Sequence, residues 1–225
     1  MEFFICCKYS YNIDMKYDAI VLAGGKGTRL NLGYNKVFYK LDNGLSIFEN
    51  ACMPFINDEA CQRIIVVVSD EDKSNITTNP KMTFVKNGKE RFNSVLNGLR
   101  AVTSEYVMIH DGARPYITDE DINNIKKTLL TEDACMLARA SKDTVKRVID
   151  GYIVNTINRK EVYLAQTPQC FKTDIIKEAY FKGELSGETF TDDASVLEWY
   201  KPEIRIKIVE SVTNNNKITF IDDIK

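Results

Sequence analysis

At 225 residues, 44% of them apolar, the chain suits one domain with a sizeable core. A formal net charge of −2 and a pI near 5.6 argue against a nucleic-acid binder, which carries a basic excess. No apolar run approaches the roughly 18 residues of a membrane span, and six scattered cysteines beside a single histidine argue against a Cys/His zinc site and read as free thiols of a reducing cytoplasm.

Residues 1–14, MEFFICCKYSYNID, hold only a five-residue apolar stretch. That is too short for a signal peptide, and they read as an N-terminal extension, or a mis-assigned start, ahead of a single domain over 15–225. The first strand-like run, Ala19–Ala23, stops at Gly24-Gly25 and Gly27, with Lys26, Arg29 and Lys36 following. Glycines let backbone N–H groups approach an anion, and the cations complete a phosphate cradle. It is not a Walker A loop, because Thr28-Arg29 follows Gly27 where Lys-Ser/Thr is required. It is not the dinucleotide fingerprint, because Leu30 stands where the third glycine belongs. That failure also argues against a nicotinamide dehydrogenase.

Further strand-like runs lie at Ile64–Val68, Met82–Val85, Tyr106–His110, Ala134–Ala138 and Ile204–Val209. Between them fall helical patterns. In Glu90–Val102, Phe92, Val95, Leu96 and Leu99 recur at helical spacing. A second helix starts at Thr118 as N-cap and carries Ile122, Ile125 and Leu129 on one face. Thr173 is expected to cap a helix through Tyr180, and Thr191 one through Trp199. The alternation predicts a mostly parallel α/β sheet with helices on both faces and ligands at the carboxyl ends of strands. One segment departs from it. Thr144–Ile149, Asp150-Gly151 and Tyr152–Thr156 read as a hairpin with a two-residue turn. An isolated hairpin is marginal in water, so a second subunit is its expected support.

Four islands carry chemistry beyond the loop. Gly88, Arg91 and Ser94 stand at a helix start, where polar groups and anions bind. Asp111 ends a strand, placed to hold Mg²⁺, and Arg114 follows within reach of a phosphate. His110 reads first as a buried, hydrogen-bonded residue and second as a catalytic one. Asn158-Arg159 with Ala165-Gln166-Thr167-Pro168-Gln169, and Thr191-Asp192-Asp193-Ala194-Ser195 with the late Lys217, complete the set.

In this order, LAGGKGTR, GKERFNSVLNGL, IHDGARP, KDTVKR, AQTPQCF, TDDAS and NKIT resemble the 2-C-methyl-D-erythritol 4-phosphate cytidylyltransferases of the non-mevalonate isoprenoid pathway, from about Tyr17 to Ile221. The resemblance implies a Rossmann-like domain, CTP, Mg²⁺ and a homodimer formed by a β-arm over about 141–162. It implies that Ala23, Gly24, Gly25, Gly27, Arg29 and Lys36 form the CTP loop, and that Gly88, Arg91 and Ser94 form the cytidine segment. Lys36, Arg29 and Lys217 would carry catalysis on the triphosphate, and Asp111 would hold the metal. Arg114, Thr144, Arg159 and Thr167 would bind the sugar phosphate, Thr144 and Arg159 reaching the partner's site. One departure stands out: the family usually has proline before the lysine, and this chain has Asn35. The rivals are a ribitol-5-phosphate cytidylyltransferase, which tends to have valine at the position of Ala113, a sugar-1-phosphate nucleotidyltransferase, and a non-catalytic nucleotide-binding homologue.

Overall fold

The computed structural model describes residues 15–25 and 33–224; residues 1–14, Gly27 and Arg29 lie outside them. In chain order the elements are β1 (Tyr17–Leu22), α1 (Ile47–Asn57), β2 (Cys61–Val68), β3 (Met82–Lys86), α2 (Arg91–Ala101), β4 (Tyr106–Asp111) and α3 (Asp119–Leu129). Then come β5 (Ala134–Ala140), β6 (Val145–Ile149), β7 (Tyr152–Ile157), β8 (Tyr163–Lys172), α4 (Thr173–Ser186), α5 (Asp193–Tyr200) and β9 (Ile206–Glu210).

The main sheet has seven strands in the order β3-β2-β1-β4-β8-β5-β9. All neighbours are parallel except at β8, which runs antiparallel to both β4 and β5. The expected α/β architecture is therefore present. β8 itself is not foreshadowed by the apolar pattern. Its middle, Gln166-Thr167-Pro168-Gln169, is polar and holds a proline, which cannot donate to a ladder. The strand accommodates this with a register break against β5 between Met136 and Ala138.

Successive residues of each buried strand face opposite layers. Ala19 and Val21 of β1 pack with Phe48 and Phe55 of α1 and Ile122, Ile125 and Leu129 of α3. Ile20 packs on the other face with Val95, Leu96 and Leu99 of α2, Ile176 and Tyr180 of α4, and Leu197 of α5. Both faces are covered, as parallel strands require. Along the second face an aromatic stack runs from Phe92 to Tyr180 (4.7 Å) and Phe190 (5.6 Å), and on to Trp199 at 5.6 Å from Phe190.

The helix starts correct two expectations. Thr118 caps α3 as read, accepting from the Asp121 N–H at 3.2 Å. Thr173 does not cap α4: its hydroxyl donates to the Ser104 carbonyl at 2.7 Å, and the helix runs on to Ser186 before Gly187 closes it at φ 73°. In α5 the cap is Asp192 rather than Thr191; its carboxylate accepts from Ser195 N–H at 2.9 Å. Helix α1, unmarked by a clean apolar period, is opened by Ser46 and Glu49 in a reciprocal capping box.

β6 and β7 form the expected hairpin as a separate two-stranded sheet. Its turn has Asp150 at φ 50° and Gly151 at φ 82°, the left-handed pair that matches strand twist. The arm leaves apolar side chains outside: Tyr152 is 79% exposed and Ile153 66%.

Candidate active site

The chain order places a switch point between β1 and β4. From β1 the chain builds outward to β2 and β3, then returns to the other side of β1 for β4. Ligands bind outside the carboxyl ends of strands at such a crevice. There Leu22, the last residue of β1, is in register with Asp111, the last of β4. The crevice is a cleft of about 590 Å³ whose lining includes Gly24, Gly25, Asn35, Lys36, Gly88, Arg91, Ser94, Asp111 and Lys217.

Gly24 lies against Asn87, whose Nδ2 donates to the Gly24 carbonyl at 3.5 Å; a side chain at Gly24 would come within 2.5 Å of Asn87 Cβ. Gly88 is similarly confined, a Cβ there falling 2.3 Å from Asn93 Cβ, while its N–H donates to Ser94 Oγ at 3.0 Å. These contacts join the first loop to the start of α2. The Ser94 hydroxyl also donates to the Glu90 carbonyl at 3.0 Å, so it shapes the Gly88 turn. Ala23, buried, donates its N–H to Val67 O at 2.8 Å and carries β1 to the lip of the cleft.

Asp111 is the electrostatic centre. Lys217 Nζ donates to its Oδ2 at 2.8 Å, Arg91 Nε approaches Oδ1 at 3.4 Å, and Arg114 Nε lies 3.9 Å from Oδ2. Burial alone would raise this carboxyl, but Arg91, Lys217 and Arg114 hold it well below the usual carboxylate range. Arg91 also grips a second carboxylate. Both of its terminal nitrogens donate to Asp193, each at 2.8 Å, and the Tyr180 hydroxyl donates to the same group at 2.5 Å. Burial opposes the Arg91 charge, and Asp193 more than restores it. Gln169 ties this corner to β8, its Nε2 donating to Asp192 Oδ2 at 2.9 Å and its Oε1 accepting from Ala194 N–H at 2.7 Å.

His110 and Thr167 support Asp111 from beneath. His110 Nε2 lies 3.2 Å from the Arg114 carbonyl, which can only accept, so Nε2 carries the proton. Burial pushes the ring down to about 4, leaving it neutral, and Nδ1 then accepts from the Thr167 hydroxyl at 3.0 Å. Thr167 Oγ1 in turn accepts from the Asp111 N–H at 3.0 Å. The buried, hydrogen-bonded reading of the lone histidine is the one the geometry matches. The Thr167 hydroxyl is occupied by these two groups. Arg114 donates Nη1 to the Asn215 carbonyl at 2.8 Å and keeps its Nε without a hydrogen-bond partner.

Thr144 and Arg159 stand apart from this cleft, both exposed, Arg159 on the turn after β7 with Nη1 donating to the Lys142 carbonyl at 3.2 Å. The asparagines at 35 and 87, and the Asp193–Tyr180–Gln169 group, were not singled out as site residues by sequence. Only the TDDAS and AQTPQ islands marked their neighbourhood, because the partners lie far apart in the chain.

Asp111 is the carboxylate on which the cleft's cations converge, and no group of three or more His, Cys, Asp or Glu side chains able to form a metal cage occurs among the described residues. A single ionised carboxylate still suits Mg²⁺ that arrives with substrate phosphates, since that ion keeps few protein ligands.

A glycine-lined switch point with partly buried cations converging on Asp111 fits a nucleotidyltransferase. The family model for 2-C-methyl-D-erythritol 4-phosphate cytidylyltransferase (IspD) matches residues 17–225. The enzyme of that name from Bacillus licheniformis is 35% identical over 218 residues, covering 93% of each chain, and that from Halalkalibacterium halodurans is 33% identical, covering 93% of this chain and 94% of its own. Among solved structures, the 4-diphosphocytidyl-2C-methyl-D-erythritol synthase of Anaerococcus prevotii superposes with a TM-score of 0.84 at 30% identity, covering 94% of this chain and 95% of its own. The Francisella tularensis cytidylyltransferase gives 0.78 at 30% identity, covering 93% and 96%. The chain belongs to the 2-C-methyl-D-erythritol 4-phosphate cytidylyltransferase family, an enzyme class that performs CTP-dependent cytidylyl transfer in isoprenoid synthesis.

Proposed function

We propose that the chain transfers the cytidylyl group of CTP to 2-C-methyl-D-erythritol 4-phosphate at this cleft. The observation that carries the reading is the convergence of Gly24, Gly25, Lys36, Gly88, Arg91, Asp111 and Lys217 on one cleft. The substrate phosphate attacks the α-phosphorus of CTP in line, and pyrophosphate leaves. A phosphomonoester with a second pKa near 6 is largely dianionic at neutral pH and needs no general base. A neutral, buried His110 is consistent with that. Lys36, Lys217 and Arg29 are assigned to the triphosphate and the charge that builds during transfer. Gly24, Gly25 and Gly27 are assigned to the phosphates, and the Gly88–Arg91–Ser94 segment to the nucleoside.

Asp111 would hold Mg²⁺ carried by the triphosphate, and the bound ion would neutralise phosphate oxygens. Arg114 and Thr167, which lie beside Asp111, are assigned to the sugar phosphate. Thr144 and Arg159 are assigned to the partner's cleft, with the exposed apolar arm as the homodimer contact. The domain is assigned to 15–225, with 1–14 as an extension. A cytoplasmic setting fits the free, buried Cys52, Cys61, Cys135 and Cys170. Among the described residues no helix is long and apolar enough to cross a membrane.

The test is pyrophosphate release from CTP and Mg²⁺ with 2-C-methyl-D-erythritol 4-phosphate and D-ribitol 5-phosphate offered in parallel. Turnover of the erythritol phosphate alone supports the reading. Turnover of ribitol phosphate alone moves the substrate, and CTP binding without turnover of either makes the chain a non-catalytic homologue.

A further inference from the structure

Asn35 stands directly before Lys36, at the position where the resemblance implies proline. Its backbone lies at φ −66°, ψ 119°. That φ is the one a pyrrolidine ring imposes, about −65°. The side chain reaches it by other means. Nδ2 donates to the Ala23 carbonyl at 2.6 Å and to Asp72 Oδ2 at 2.9 Å, while Oδ1 accepts from the Val37 N–H at 3.3 Å. A carboxamide has two N–H donors, and both are used. The residue is 5% exposed, so each of these bonds is costly to break.

The three partners come from different places. Ala23 is the last residue before the glycine loop. Val37 lies in the short 3-10 turn Lys36–Phe38 that follows it. Asp72 belongs to the segment after β2. One amide therefore pins both ends of the glycine loop to each other and to a third segment, and Lys36 is the next residue along.

We infer that Asn35 is a positioning residue for Lys36: its carboxamide, anchored by Asp72, holds the backbone from which the lysine enters the cleft, replacing a ring constraint with hydrogen bonds. The inference rests on the assignment of Lys36 to the triphosphate. A residue that only stabilised the fold would lower melting temperature and leave kcat alone. A residue that aims Lys36 lowers kcat and spares KM for CTP, because the lysine acts most on charge that develops in the transition state.

The experiment measures kcat, KM for CTP and melting temperature for the full chain and for Asn35→Ala, Asn35→Pro, Asp72→Ala and Lys36→Ala, with Mg²⁺, CTP and 2-C-methyl-D-erythritol 4-phosphate. Asn35→Ala is expected to lose about tenfold in kcat, the scale of loss when a catalytic group drifts by less than an ångström, with KM for CTP within about twofold. Asn35→Pro is expected to recover most of kcat without any of the three hydrogen bonds, because it restores the torsion. Asp72→Ala is expected to lower kcat less than Asn35→Ala, again at unchanged KM. Wild-type kcat in Asn35→Ala beside an inactive Lys36→Ala overturns the inference alone. Equal impairment of folded Asn35→Ala and Asn35→Pro overturns it as well. If Asn35→Pro does not fold, Asp72→Ala decides: lowered kcat supports the inference and wild-type kcat overturns it. A near-normal Lys36→Ala overturns the assignment of the lysine, and the inference with it.

Discussion

Arg91 and Asp193, 102 positions apart, meet through two parallel bonds of 2.8 Å, one from each terminal nitrogen of the guanidinium. The carboxylate is fully buried and also accepts from Tyr180. Paired guanidinium and carboxylate planes fix orientation as well as charge. The pair therefore sets where the third nitrogen of Arg91 points, which is towards Asp111.

Removing Asp193 strands a cation at the edge of the cleft and a phenol in the core. Asp193→Ala is expected to cost about 3 kcal/mol of unfolding free energy and to raise KM for CTP. Urea unfolding and steady-state kinetics check both; a loss under about 1 kcal/mol would contradict a structural anchor here.

Lys217→Ala is expected to lower turnover by about 10²-fold, the usual loss for one preorganised charge at a reacting phosphate. It also removes a cation that holds Asp111 down. The Asp111 carboxyl then rises towards the ordinary range, a shift read by pH titration of its carboxyl carbon resonance in the ligand-free protein. An unshifted resonance would disconnect Lys217 from Asp111.

His110 gives a pH dependence with a definite sign. Its folded-state value, about 4, lies below the unfolded value, which is about 6.5. Between the two the unfolded chain binds more protons, so acid favours unfolding. This contribution is fully present above pH 6.5 and is lost as pH falls towards 4, by on the order of 3 kcal/mol. The chain has one histidine, so a single imidazole resonance reports it directly. A midpoint near 6.5 in the folded protein would contradict the buried, neutral ring.

Arg159→Ala is expected to raise KM for the sugar phosphate and leave CTP binding intact, since Arg159 stands outside its own chain's cleft. Mixing Arg159→Ala with Lys36→Ala subunits, at sugar-phosphate levels where each alone is inactive, is expected to restore activity, each mixed dimer holding one site with both groups sound. Failure of mixtures to recover any activity would count against the shared site.

The parts of the fold that sequence revealed are those whose causes are local. Ile64–Val68 is an unbroken apolar run, and β2 contains it. Val95, Leu96 and Leu99 recur at helical spacing, and α2 buries all three. The hairpin follows from Asp150-Gly151, a pair suited to left-handed torsions. β8 stayed hidden because its buried middle is largely polar, with Gln166, Thr167 and Gln169 sheltered ahead of Cys170 and Phe171. Gln169 and Thr167 are sheltered by bonds to Asp192, Ala194, His110 and Asp111, partners that no sequence window contains. In the TDD run Thr191 is the expected cap, yet Asp192 takes that place. Only the contacts of Asp193 with Arg91 and Tyr180 show that the third residue is an anchor. Lys36 and Asp111 were legible through their glycine neighbourhoods. The roles of Asn35 and Asn87 were not, because an asparagine beside a glycine loop reads as turn chemistry until its amide is seen to bridge separate strands.

The aromatic stack behind α2 has an optical consequence. The chain has one tryptophan, Trp199, and it sits edge-on to Phe190, which stacks on Phe92, the residue next to Arg91. Its indole is 43% exposed, at the boundary between core and water. The protein thus carries a native fluorophore two ring contacts from Phe92, the neighbour of the cleft-lining Arg91. Its emission colour and quenching report on that corner in an unlabelled protein, which turns nucleotide titration, the Asp193 variant and acid unfolding into measurements on a single signal.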